Sequence, residues 1–151
     1  MNNENDQILT WSGEAWNVTT GCTKISEGCA NCYAERQALQ MQKEKSYWYK
    51  NGFQLTLHHS RLRKPIEWKR PRRIFVCSMS DLFHKNIPDE FIQEVFNVMN
   101  KASHHQFMVL IKRSERMLQI APLLNWSKNI AVGVTVEMEK YLYRMDDLRI
   151  T

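Results

Sequence analysis

The sequence predicts an α/β protein built on a parallel sheet of about four strands, with helices in the connections. Three observations carry this. Short, almost continuously apolar segments recur along the chain, as in strands buried on both faces. Between them lie helix-forming segments, and such alternation gives parallel pairing through right-handed crossovers. No internal repeat or low-complexity tract offers another architecture. At 151 residues the chain has the length of one domain, able to bury roughly two-thirds of its unfolded surface.

Residues 1–9 read as a flexible leader ahead of a single domain over 10–151. Trp11 to Thr20, with Trp16, Val18 and β-branched threonines, reads as a strand running straight into Gly21-Cys22. Tyr33 to Tyr47 holds strong helix formers and neither Gly nor Pro. Residues 48–72 contain Gly52, Pro65 and Pro71 without a clear period, and read as a long loop with room for a small hairpin. Arg73 to Met79 is the second strand. Pro88-Asp89-Glu90 opens a helix that carries Phe91, Ile92, Val95, Phe96 and Met99 at core spacing and ends near Ala102. Gln106 to Lys112 is the third strand, Ser114 to Ala121 a shorter helix behind a capping serine. Asn129 to Glu137 is the fourth strand, and Met138 to Leu148 is helical in composition.

The strand ends hold the informative polar residues. The cysteine loop follows strand one; Ser78, Ser80 and Asp81 follow strand two; Lys112 and Arg113 end strand three; Thr135 and Glu137 end strand four. Parallel α/β sheets bind ligands at that edge, so all four sets are expected to face one mouth. Each also has a structural alternative: Asp81 as a turn cap, Lys112 and Arg113 as ordinary strand-end charges, Glu137 as a first-turn acid. The His58-His59 and His104-His105 pairs read as loop residues, and Cys77 as a small apolar residue in mid-strand.

Composition excludes several classes. Apolar residues are 43% and charged residues 25%, close to a globular average. No apolar run approaches the roughly 18 residues a bilayer demands, and the polar N-terminal residues do not resemble a signal peptide. The chain is therefore expected to be soluble and cytoplasmic, with no membrane partner. Its net charge of +5 is concentrated between Arg61 and Arg73. There Arg61, Arg63, Lys64, Lys69, Arg70, Arg72 and Arg73 stand against the single acid Glu67, with Trp68 among them. Such a stretch suits phosphate contacts with a base stacked on the tryptophan, or serves as a solvated connector.

Three of the four cysteines fall within eleven residues, Cys22, Cys29 and Cys32, in a C-x6-C-x2-C pattern beside Gly21 and Gly28. Two thiolates on one tight turn and a third from the preceding loop can reach one metal centre. A structural zinc needs a fourth ligand from elsewhere, with Cys77, His84, His58 and His59 as candidates. A three-cysteine [4Fe-4S] cluster leaves one iron open. Three local thiolates without a local fourth favour the open cluster over zinc, and inert core cysteines are the third possibility.

These residues also carry a resemblance. Trp16-Asn17-Val18-Thr19-Thr20-Gly21-Cys22 and Gly28-Cys29-Ala30-Asn31-Cys32-Tyr33-Ala34-Glu35 resemble the opening of an uncharacterised bacteriophage-protein family. So do Ser78 to His84, Leu110 to Arg113, and Asn129 to Glu137, so the likeness spans the chain from about residue 10. That family is in turn similar to radical S-adenosylmethionine enzymes, which implies a partial (β/α) barrel with the cysteine loop after strand one. It implies that Cys22, Cys29 and Cys32 ligate three irons of a [4Fe-4S] cluster while S-adenosylmethionine chelates the fourth. Reductive cleavage then gives a 5′-deoxyadenosyl radical that acts on an unknown substrate, with nucleic acid among the candidates. Ser78, Ser80 and Asp81 would contact the methionyl part, Thr135 and Glu137 the ribose, with Lys112 beside them. Two departures stand out: six residues separate the first two cysteines where the common radical enzymes have three, and the family continues with further strands beyond Thr151. The chain is thus expected to be the N-terminal part of such a barrel, either an inactive truncated form or one completed by a second protein chain. The alternative is a non-catalytic, metal-stabilised nucleic-acid-binding module of phage origin.

Overall fold

Apolar and β-branched segments become strands here because they can be covered on one face by amphipathic helices. In chain order the elements are β1 (Glu14–Trp16), β2 (Thr19–Thr20), α1 (Tyr33–Lys43), β3 (Thr56–Leu57), α2 (Lys64–Glu67) and β4 (Arg73–Val76). Then follow α3 (Asp89–Lys101), β5 (Gln106–Ile111), α4 (Ser114–Ile120), β6 (Ile130–Val134) and α5 (Tyr143–Arg149). The computed structural model describes residues 13–151; the leader expected at 1–9 lies outside the described residues, as does Trp11.

Strands β1, β4, β5 and β6 form one parallel sheet in that spatial order. The fold is α/β with four parallel strands and flanking helices; β1 and β6 are its edges among the described residues, and the sheet does not close into a barrel. Register explains the core. Trp16, Val76, Val109 and Val132 lie in one row, and Ile74, Phe107 and Ile130 in the next. Both rows join Phe91, Ile92, Val95, Phe96 and Met99 of α3 in a single apolar cluster. Each of these buried side chains contributes roughly 1.5–3 kcal/mol. The opposite face carries Phe75, Met108 and Ala131, half-buried or exposed. No helix of the described residues is long and apolar enough to cross a membrane.

The first predicted strand is divided. Asn17 turns the chain by accepting hydrogen bonds from the Ser78 hydroxyl (3.1 Å) and the Met79 N–H (3.3 Å). β2 then leaves the main sheet and pairs antiparallel with β3. The strand within 48–72 therefore serves β2 instead of forming a local hairpin. Its remainder holds α2 and short 3-10 turns at Tyr47–Tyr49 and His59–Arg61. The second predicted strand stops three residues early because Cys77 takes a left-handed φ of 56°, which no ladder tolerates. Cys77 is a buried turn residue, not a mid-strand one. The last predicted helix is split into a 3-10 turn, Glu139–Tyr141, and α5.

Two histidines expected in loops are buried. His58 bonds the Thr20 hydroxyl (2.9 Å). His105 accepts from the Arg72 N–H at Nδ1 (3.1 Å) and donates from Nε2 to the Pro65 carbonyl (2.9 Å). His84, also buried, likewise accepts a backbone N–H at Nδ1, from Asn86 (3.2 Å). Burial above all holds the three imidazoles below their ordinary value of 6.5. The fold thus keeps them neutral while the unfolded chain takes up protons first. Their contribution is complete above that value and declines as pH falls through and below it. Melting temperature is expected to fall between about pH 7.5 and 5.5; a flat profile across that interval contradicts the assignment.

Candidate cofactor site

A parallel sheet brings the C-terminal ends of its strands to one edge, and here that edge meets the cysteine loop around a cavity of about 370 Å³. Cys22, Cys29 and Cys32 line it. So do Ser78 and Ser80 beyond β4, Asp81 after them, Lys112 beyond β5 and Thr135 beyond β6. Phe53, Phe75, Leu110 and Ile111 supply an apolar wall. Glu137 is not on the wall; it packs against the cysteine loop at Gly28, where an added Cβ would meet Glu137 Cγ and Cδ at 3.0 Å.

The loop is built into place at both ends. Gly21 has φ +80°, donates to the Met79 carbonyl (3.0 Å) and accepts from the Ser80 hydroxyl (2.7 Å), while the Cys22 N–H reaches the Phe53 carbonyl (3.3 Å). A 3-10 turn, Glu27–Cys29, closes on a Cys29 N–H to Ser26 carbonyl bond of 2.9 Å. Cys32 is the N-terminal cap of α1, extended and without a side-chain capping bond. Beneath it Ala34 and Ala38, one turn apart, seat α1 on Tyr49 and Met79. Outside, Arg113 Nη2 donates to the Thr23 carbonyl (2.9 Å), and Lys24 pairs with Glu35 (2.9 Å). Lys140 and Tyr141 both bond Glu27 and hold its carboxyl down at about 2.

Electrostatics distinguish the thiols. Burial raises Cys22, more than Arg113, at 3.4 Å from its sulfur, can lower it. Burial also acts on Cys29, yet the backbone at Ile25 and Ser26, the Ser26 hydroxyl and the Lys112 charge together bring it below the usual thiol range. Asp81 is saturated: Oδ1 accepts from the Phe83 N–H (3.0 Å), Oδ2 from the Lys112 N–H (3.0 Å) and Arg113 Nη1 (3.1 Å). It caps its turn and also fixes Arg113, so it shapes the mouth indirectly. Burial raises the Glu137 carboxyl, but the Ser26 hydroxyl, Arg144 and Lys112 outweigh it and leave the group lowered.

The chemistry of the donors decides which metal group they suit. All four cysteines are unbridged. Among the described residues no three His, Cys, Asp or Glu side chains converge as a single ion requires. Zinc needs four donors around one point at roughly 2.0–2.3 Å. Of the candidate fourth ligands, His84 has Nε2 on Thr23 (2.9 Å) and Nδ1 on Asn86. His58 is bonded to Thr20, and His59 meets Phe91 edge to face at 5.1 Å. The buried Cys77 thiol, pushed up to about 11 by desolvation, is a poor source of thiolate. A cluster attaches each thiolate to a different iron, so its donors surround a volume instead of meeting at a point. Three thiols around one cavity suit that demand.

The basic segment lies apart. Arg72 and Arg73 lead into β4, at the sheet edge opposite the mouth, and none of the seven cations lines the cavity. Trp68 packs against the core with Arg72 (4.7 Å) and Lys64 (5.6 Å) over its ring, and Arg61 lies over Trp48 (4.7 Å). Arg72 also pairs with Glu14. Arg63, Lys69 and Arg70 are exposed.

Arg144 is the site residue that the sequence did not announce, and Arg113, expected at the mouth from its strand end, had no role assigned to it. Arg113 stood beside Lys112 at a strand end, and that doubled charge was its only signal. Arg144, 1% exposed, donates to the Thr135 carbonyl (2.7 Å) and to Glu137 (2.9 Å). Its helix position gave no hint of this.

Over residues 6–151 the chain matches a family model described as "Protein of unknown function (DUF5131)". No curated protein and no solved structure matches it.

Proposed function

The chain belongs to that family of unknown function, DUF5131, and we propose that it is an iron–sulfur protein of the radical S-adenosylmethionine type. One observation carries the reading: three thiols of one loop and the polar ends of three strands line one cavity. Cys22, Cys29 and Cys32 would hold a [4Fe-4S] cluster, which would supply the electron for reductive cleavage of S-adenosylmethionine. The chain's own residues bind and shield. Ser78 and Ser80 donate their hydroxyl protons inward, to Asn17 and the Gly21 carbonyl, which leaves their oxygens as acceptors for an ammonium group. Thr135 and Lys112 offer polar contacts on the far side, Arg113 offsets thiolate charge beside Cys22, and Phe53, Phe75 and Leu110 exclude water.

The test is anaerobic reconstitution with iron and sulfide, metal counting, and electron paramagnetic resonance of the reduced protein with and without S-adenosylmethionine. About four irons per chain are expected, lost in Cys22→Ala, Cys29→Ala and Cys32→Ala, with a spectrum that changes on addition of S-adenosylmethionine. Stoichiometric zinc, or a spectrum indifferent to that compound, overturns the reading. A second reading, a metal-shaped nucleic-acid-binding module, draws on the exposed Arg63, Lys69 and Arg70. It requires steeply salt-dependent binding that is lost when these three are neutralised, and it is the less supported because Trp68 already carries two cations on its ring.

A further inference from the structure

Beside the cysteine cavity, and sharing Lys112 and Arg113 with its wall, lies a second cavity of about 280 Å³. Its lining is strongly cationic: Lys85, Lys112, Arg113, Arg116 and Arg144 against the single carboxylate of Glu115. Three of these charges are already matched, Arg113 by Asp81, Arg116 by Asp89 and Arg144 by Glu137. Lys85 and Lys112 form no ion pair among the described residues. A second, independent observation concerns Arg144. The residue is 1% exposed and lines this cavity, yet its buried Nε–H has no hydrogen-bond partner. A buried guanidinium N–H left unpaired is costly, and an oxyanion is the partner that suits it best.

We propose that this cavity is a phosphate subsite, in which Lys85, Lys112 and the free edge of Arg144 hold the phosphate group of the substrate. A phosphate monoester offers three terminal oxygens, enough to meet Lys85, Lys112 and Arg144 together, whereas a carboxylate offers two. Because Lys112 and Arg113 line both cavities, a molecule anchored here by its phosphate would lie next to the cysteine cavity. That this anion belongs to a substrate rests on the function proposed above; the binding of phosphate does not.

The two are separated by titrating the full chain, without iron or S-adenosylmethionine, with methyl phosphate at low ionic strength and following the heat of binding. Saturable binding at one site is expected, weakened about fivefold or more in Lys85→Gln and in Lys112→Gln. Lys69→Gln, in the exposed basic segment, is expected to leave it unchanged, and acetate to bind more weakly than methyl phosphate. Circular dichroism checks that each variant is folded. Absence of saturable binding, equal weakening by Lys69→Gln, indifference to Lys85→Gln, or a preference for acetate each overturns the subsite. Iron loading of Lys85→Gln, measured in parallel, is expected to match the parent. A chain that loads iron but ignores methyl phosphate refutes the subsite alone, and one that binds methyl phosphate but takes no iron refutes the cluster alone.

Discussion

An Arg144→Met variant is expected to lose about 3 kcal/mol of stability, the low end for breaking a buried ion pair. The parent guanidinium is 1% exposed, bonds the Thr135 carbonyl and Glu137 Oε2, and lies 4.1 Å from the centre of the Tyr141 ring. Methionine fills much of the same volume, so the loss measures charge and hydrogen bonding more than packing. It leaves the Glu137 carboxylate, its side chain only 16% exposed, without its cation, and the Thr135 carbonyl without its donor. That residual exposure lets water compensate in part, which keeps the loss at the low end. For a domain of this size the midpoint of thermal unfolding should drop by about 10 °C. Adding Glu137→Gln to Arg144→Met should restore part of the loss, since the stranded charge is then gone. A single variant within about 0.5 kcal/mol of the parent, or a double variant worse than the sum of the singles, contradicts the argument.

Gly21→Ala is expected to cost a similar amount for a different reason, about 3 kcal/mol. The backbone there is left-handed, φ +80°, and an added Cβ would stand 2.2 Å from the Gln54 carbonyl oxygen and 2.6 Å from that of Phe53. Both are backbone atoms next to β3, held by its pairing with β2, and cannot step aside without opening that pair. Cys22 follows directly, so under the iron–sulfur proposal iron uptake should fall with stability. Gly52 is the internal control. Its φ is +57°, but an added Cβ meets the flexible end of Gln42 at 2.8 Å, and Gly52→Ala should cost about 1 kcal/mol. Equal midpoints in urea for the two variants would count against the clamp around Gly21.

The parts of the fold readable from sequence were those set by local composition. The apolar runs at Ile74–Val76, Phe107–Ile111 and Ile130–Val134 are strands wherever they pack, and α3 carries its core residues at helical spacing. The mouth was readable for the same reason: once the sheet is parallel, strand ends share an edge, and Ser78, Ser80, Lys112 and Thr135 follow. What stayed hidden depends on partners distant along the chain. Asn17 breaks the first strand because Ser78 and Met79 bond to it across 61 and 62 residues. β2 finds β3 through a register that nothing in either pair of residues announces. The left-handed Cys77 is equally invisible, because its conformation is unusual for its residue type and is held by surroundings that include the Trp16 carbonyl and the Thr19 hydroxyl.

The ties that hold the cysteine loop have a consequence for when it can form. Glu27 is fastened by Lys140 and Tyr141, 113 and 114 residues later in the chain, and Thr23 by Arg113, 90 residues later. Contacts of such separation come late in folding. On a ribosome the three thiols emerge on the order of ten seconds before the residues that fix them. During that interval they belong to an unanchored loop, open to any thiophilic ion or oxidant. If the chain carries the cluster proposed above, delivery would therefore follow translation, timed by the docking of Arg113, Lys140 and Tyr141 rather than by the appearance of the cysteines.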